Sequence, residues 1–168
     1  EKTRFAMSTE ETRYYLNGIY LHPVESREIR AVATDGHRLA RLSLSMSQGV
    51  PDFPGVILSR KTVNEVMKIL GEAEGEIEVS LSETQVSFKF NHVYLTSRLI
   101  DGSFPDYEAI IPAHNEKTLR MSMAAFSEAV DRVATVSTEK SRSVKLSINN
   151  NKIVLTASNS EFGSAVEE

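Results

Sequence analysis

Between residues 59 and 71 the apolar positions Val63, Val66, Met67 and Leu70 recur at i, i+3, i+4 and i+7. That spacing puts four apolar side chains on one face of an α-helix. Ser59 stands where an N-cap oxygen would accept a backbone amide, and Gly71 follows the last apolar position as a stop. Lys61, Asn64, Glu65 and Lys68 are left for the solvent side. Residues 85–90 carry a different period. Val86, Phe88 and Phe90 alternate with Ser87 and Lys89, so one face of this strand is apolar and the other wet. Strands at 77–82 and 93–99 flank it, with turns at Glu83-Thr84 and Asn91-His92.

The rest of the chain reads in the same way. Residues 1–8 look like the end of a helix with Phe5 and Met7 as its apolar members. Strands are expected at 14–22, 28–34, 37–45 and 56–58. The loop at 48–55 has two glycines, two prolines and Asp52. Residues 110–117 read as a linker, 118–122 as a strand, and 123–136 as a helix with Phe126, Ala129, Val130 and Val133 on its apolar stripe. Strands at 144–148 and 152–157 meet at Asn149-Asn150-Asn151, and the acidic tail 158–168 has no periodic pattern. Hairpins interrupted by two helices make an α+β protein.

A short internal repeat accompanies these elements. Ser8-Thr9-Glu10 recurs as Ser137-Thr138-Glu139, each followed at the same offset by an arginine, Arg13 or Arg142. A repeated unit implies stacked or ring-like copies. The second copy is short and the first lacks most of its leading helix, so the chain is expected to be a piece of a longer protein.

The composition narrows the chemistry. Of the 168 residues, 40% are hydrophobic and 25% charged, an ordinary globular mix, and the absence of cysteine excludes disulfides and thiolate metal sites. A net charge of −4 argues against a uniformly basic nucleic-acid surface. Any such contact must come from a local patch or from topology. Arg60, Lys61 and Lys68 offer a helical patch that Glu65 interrupts.

Three stretches stand out. Residues 32–40 place Asp35-Gly36 between two strands, a dipeptide suited to the positive φ of a hairpin turn. Asp35 and His37 would suit a small hydrolase as orienter and base, but both flank a hairpin tip and no nucleophile motif accompanies them. The four histidines lack metal-ligand spacing, and no glycine-rich phosphate loop is present. Arg13-Tyr14-Tyr15 either packs one ring inward or stacks on bases with a phosphate contact from the arginine. Phe104-Pro105-Asp106-Tyr107 either anchors a loop or rims an apolar groove.

Together, Arg13-Tyr14-Tyr15-Leu16-Asn17-Gly18, Val32 through Ala40 and Asp101-Gly102-Ser103-Phe104-Pro105-Asp106-Tyr107 closely resemble the bacterial DNA polymerase III beta subunits, the sliding clamps. The resemblance implies a DNA-clamp fold of repeated antiparallel sheets with helices on one face. It implies a second clamp domain over 1–113 and the front half of a third over 114–168. It also implies a cytoplasmic, non-catalytic replication protein, a homodimer in full-length form, with no membrane role and no metal or cofactor. Its partners would be encircled double-stranded DNA, the DNA polymerase III alpha subunit, the clamp loader and repair polymerases. The family's partner-peptide pocket matches Leu16, Thr34, Gly36, His37, Arg38, Leu39, Pro105 and Ile110. Its DNA-facing positions match Arg13, Tyr14, Tyr15, Arg60 and Lys61, and its subunit interface matches Thr135 and Val136. Ala109 departs from the family's best-known member, which has arginine there, and the family's C-terminal segment, which completes the pocket, lies beyond residue 168. Peptide binding weaker than that of a full clamp is therefore expected. A structural repeat protein with no DNA role is the remaining alternative.

Overall fold

The computed structural model describes residues 1–47, 49–71, 75–137, 143–149 and 151–168. The chain divides into two compact units, Glu1–Ile111 and Pro112–Glu168.

In the first unit, strands β1 (Gly18–Val24), β2 (Glu28–Thr34), β3 (Leu39–Ser45) and β4 (Val56–Ser59) form an antiparallel sheet in the order β3-β2-β1-β4. Helix α1 (Arg60–Leu70) follows directly, and β5 (Glu78–Leu81), β6 (Gln85–Phe90) and β7 (Val93–Arg98) make a second antiparallel sheet. One bridge between Leu58 and Leu99 joins the two sheets. The periodicity of α1 explains its place. Val63 packs with Ala6, Met7, Ile19 and Ala33, whereas Val66 packs with Val86, Phe88 and Phe90. A single apolar stripe thus serves both cores, and Leu58 touches both. Burying a valine or phenylalanine of this kind stabilises the unit by about 1.5–3 kcal/mol each. The start of α1 is fixed by side chains as well. Ser59 Oγ accepts the Thr62 amide at 3.1 Å, and the buried Thr62 hydroxyl reaches Ser97 Oγ on β7 at 2.6 Å. The first residues of α1 are thereby pinned to the second sheet.

The second unit has helix α2 (Met123–Ala134) with Ser122 as its N-cap, and strands β8 (Lys145–Asn149), β9 (Lys152–Asn159) and β10 (Gly163–Glu167) in the order β10-β9-β8. Ala129 and Val133 of α2 bury against Leu155 and Ala157 of β9. Arg132 ties the helix to β10 through Glu167 at 2.5 Å.

Four expectations need correcting. Residues 14–16 are not strand: they lie in a 3₁₀ turn, Glu11–Leu16, because the Leu16 carbonyl accepts the Ser8 amide and the Asn17 amide folds back on Tyr14. Residues 1–8 contain one 3₁₀ turn, Arg4–Ala6, rather than an α-helical end. Residues 118–122 form no strand. Leu119 and Met121 are left half exposed, and no ladder partner lies beside them among the described residues. The tail is not irregular. β9 runs on to Asn159 and returns as β10, with Gly163 at φ +91° and the Asn159 side chain accepting the amides of Glu161 and Phe162. A short Gly-Ser-Ala-Val-Glu strand has too little apolar contrast to announce itself without its partner. Thr138, Glu139 and Arg142 of the repeat, Gln48 in the loop and Asn150 in the turn lie outside the described residues.

Candidate functional site

The β2–β3 hairpin gathers five of the candidate residues at its tip. Thr34 pairs with Leu39 at the last rung of the ladder, and four residues, Asp35 to Arg38, close the turn. The turn is built from side chains. Asp35 Oδ1 accepts the amides of His37 and Arg38 at 2.9 and 3.0 Å, and its Oδ2 accepts Arg38 Nε at 3.1 Å. The buried Thr34 hydroxyl donates to the Arg38 carbonyl at 2.7 Å and accepts the Gly36 amide at 3.1 Å. Gly36 sits at φ +88°, a conformation that disfavours a β-carbon. Burial pushes the Asp35 carboxyl up. The amides of His37 and Arg38 and the Arg38 guanidinium outweigh it and hold the group below its ordinary value.

The segment before β1 braces this tip. The Arg13 guanidinium lies against Gly36, with Nη1 only 2.5 Å from where a β-carbon would stand. Glu10 holds Arg13 through two bonds of 2.6 and 2.8 Å. The hydrogen bond from Arg13 lowers the Glu10 carboxyl from its ordinary value. Leu16, at the end of the same 3₁₀ turn, is buried. Arg38 is held from its other side by Phe5, whose exposed ring lies 5.9 Å from the guanidinium carbon. The His37 ring is exposed, and both oxygens of Asp35 are taken by the turn and Arg38. Asp35 therefore works as a turn cap.

Pro105 and Ile110 stand elsewhere in the unit, on the loop after β7. Both are exposed, Ile110 at 62%. Pro105 opens on a concavity of about 370 Å³ that Tyr20, His22, Arg30 and Tyr107 also line. Ala109 beside them is exposed and brings no polar group to the rim.

The aromatic and basic candidates separate into two places. Arg13 belongs to the hairpin tip. Tyr14, Arg60 and Lys61 line one open concavity of about 860 Å³, together with Arg4, Asn17 and Lys68. Lys61 and Lys68 fall seven residues apart on one helix face, and Glu65 between them pairs with Lys68 at 3.0 Å. The Tyr14 ring is half exposed and meets Tyr15 edge-on at 5.8 Å, and both pack against Gly102. Asn17 fastens this surface. Its carbonyl accepts the Arg60 amide at 2.8 Å, and its side-chain amide donates to the Glu10 carbonyl at 2.9 Å. The Asn17 Oδ1 is buried and has no hydrogen-bond partner among the described residues. In the second unit, Thr135 caps the end of α2, with its hydroxyl on the Arg132 carbonyl at 2.7 Å, and Val136 packs on that unit's own core.

Arg4, Phe5, Glu10 and Asn17 were not legible as site residues. Asn17 stands directly before a β-strand glycine, an ordinary turn signal. Arg4 and Phe5 reach the site only through the path of the chain, which no spacing rule encodes.

Two family models match the chain. The central domain of the DNA polymerase III beta subunit covers residues 1–106, and its C-terminal domain covers residues 108–168. The beta sliding clamp of Caulobacter vibrioides is 50% identical over 171 residues, and that of Escherichia coli K12 is 38% identical over 167 residues. These matches take in 100% and 99% of this chain but only 46% and 45% of the relatives, so the chain spans about half their length. Among solved structures, a Bartonella birtlesii sliding clamp bound to griselimycin superposes with a TM-score of 0.92 at 47% identity, covering 99% of this chain and 45% of that one.

Proposed function

The chain belongs to the DNA polymerase III beta subunit family, and from that premise we propose that it works as part of a sliding clamp. We read residues 1–113 as the second clamp domain and residues 114–168 as the front half of the third. In this reading the full-length protein is a cytoplasmic homodimeric ring. It encircles double-stranded DNA and confers processivity without catalysing a reaction or holding a cofactor. Arg13, Tyr14, Tyr15, Arg60 and Lys61 contact DNA, with Arg13 also bracing the neighbouring hairpin. A modest local basic surface on an acidic protein suits sliding, because encirclement retains the DNA and a tight grip would slow it. Thr135 and Val136 lie at the subunit interface.

The hairpin tip is the docking site for the polymerase alpha subunit, the clamp loader and repair polymerases. The half-buried Leu39 at the tip and the exposed Pro105 and Ile110 on the separate loop after β7 offer apolar surface. The buried Leu16 belongs to the floor of the same site in this reading, and Thr34, Gly36, His37 and Arg38 offer the turn backbone and its polar groups. Extended peptides bind such surfaces through a few apolar side chains. The observation that carries this reading is the pre-built turn. Asp35 and Thr34 between them satisfy three amides and a carbonyl, so a peptide meets an ordered surface.

The test is a titration of isotope-labelled protein with a leucine- and phenylalanine-containing hexapeptide. Amide shifts centred on Leu16, Gly36 to Leu39 and the neighbours of Pro105 are expected. Shifts spread over other faces, or none in the full-length protein, would refute the pocket.

A further inference from the structure

Residues 101–111 form neither strand nor helix, and their own backbone hydrogen bonds are local: Glu108 N–H to Asp106 Oδ1 at 3.2 Å, and Ile111 N–H to the Glu108 carbonyl at 3.3 Å. No ladder sets the path of this loop, so its side chains must. Phe104 stacks on Tyr20 with ring centroids 4.8 Å apart and planes 6° from parallel, and Tyr20 stacks in turn on His22 at 4.9 Å. Tyr107 is buried, with its hydroxyl 2.9 Å from His22 Nε2. Glu108 reaches across to Arg30 on β2 at 2.5 Å, and Arg30 is itself braced by Glu28 at 2.9 Å.

The His22 bond has a defined direction. Its Nδ1 lies 3.0 Å from the Pro23 carbonyl, which can only accept. With the hydrogen on Nδ1, Nε2 of a neutral ring accepts from the Tyr107 hydroxyl, whose oxygen also stands 3.4 Å from Glu108 Oε1 as a second acceptor. Along the loop the pattern is an exposed Pro105, a locked Tyr107 and an exposed Ile110. Two apolar side chains are presented to solvent while Tyr107 and Glu108 between them are fastened to β1 and β2.

We propose that Tyr107, with His22 and the Arg30–Glu108 ion pair, is a positioning element of the peptide site. It holds the 104–110 loop in one shape, so that Pro105 and Ile110 meet an extended apolar peptide as a preformed wall. The proposal rests on the pocket reading above. A peptide that meets a loose loop must first order it, and its affinity falls with the fraction of molecules whose loop is in the competent shape. Tyr107→Phe keeps the buried ring and removes only the hydroxyl, and Glu108→Gln keeps the shape and removes the charge.

The experiment follows association and dissociation of a fluorescein-labelled leucine- and phenylalanine-containing hexapeptide with the full-length protein by stopped flow. The Ile110 methyl signal is recorded alongside. Tyr107→Phe should raise Kd about fivefold, chiefly through slower association, with the Ile110 signal broadened or moved. Glu108→Gln should act in the same direction but less, because Glu108 is exposed and its ion pair is screened. Leu39→Ala, which removes a wall directly, should act mainly on dissociation. A Tyr107→Phe protein with lowered Tm but unchanged association rate, beside a Leu39→Ala protein that binds weakly, would overturn the positioning role and leave the pocket standing. A wild-type protein that does not bind the peptide at all would overturn both.

Discussion

Replacing Asp35 separates a turn cap from a charge effect. Asp35→Ala removes the acceptor for two amides, at 2.9 and 3.0 Å, and the partner of Arg38 Nε at 3.1 Å. The tip is exposed at His37 and Arg38, so water replaces the lost acceptor and the full penalty for an orphaned buried donor does not arise. Each amide bond then counts at its net value, about 0.5–1.5 kcal/mol. The ion pair to the exposed Arg38 adds little, because exposed pairs are screened. Asp35→Ala should therefore cost about 1–3 kcal/mol, overlapping the range of about 0.5–2 for losing a comparable cap. Asp35→Asn keeps Oδ1 and an Asn-Gly turn, so its cost should be only about 0.5 kcal/mol. Urea unfolding followed by far-ultraviolet circular dichroism gives both numbers from the midpoint at constant m. Peptide affinity should fall in the same order, alanine more than asparagine. Equal losses for the two variants would refute the reasoning, since charge and not amide capping would then hold the turn.

The carboxyl also sets a pH window. Its folded pKa is lowered, so its contribution to stability is complete above its ordinary value of 3.8 and is lost as pH falls through the lower folded value. Amide shifts of Gly36 and His37 should accordingly titrate with a midpoint below 3.8, and one above it would contradict the capping geometry. Thr34→Val removes a buried hydroxyl that serves the Gly36 amide and the Arg38 carbonyl, and should cost about 1–3 kcal/mol by chemical denaturation. Phe88→Ala empties a core position that is 6% exposed and should cost about 3–5 kcal/mol, and a loss under 1 would mean that α1 and β6 do not share a core. In the full-length protein, Arg60→Ala and Lys61→Ala should each flatten the log–log salt dependence of DNA affinity by about 0.9 if each side chain neutralises one phosphate. An unchanged slope would remove that residue from the DNA surface.

Much of the fold was legible because it rests on local periods. The stripe Val63, Val66, Met67 and Leu70 located α1 and its cap, and the alternation Val86, Phe88, Phe90 fixed both the strand and its buried face. The hairpin at Asp35-Gly36 was legible for a similar reason, since a positive φ at glycine is a property of one residue. The misread segments are those whose state depends on a neighbour. Tyr14-Tyr15-Leu16 has β-forming side chains, but hydrogen bonds from Ser8 and Asn17 wind it into a 3₁₀ turn. Residues 163–167 become a strand only because β9 extends to receive them.

By itself the sequence determined the periods, the caps, the turn chemistry and the inventory of candidate residues, since each follows from a residue and neighbours within about two helical turns. Tertiary structure decided their grouping. It set Arg13 against Gly36, brought Tyr14 to one concavity with Arg60, and spent both oxygens of Asp35 on the turn. It also fastened Tyr107 and Glu108 to His22 and Arg30, residues 85 and 78 positions away along the chain. Such contacts are selected by which strands pair and which faces bury, and no local pattern carries that information.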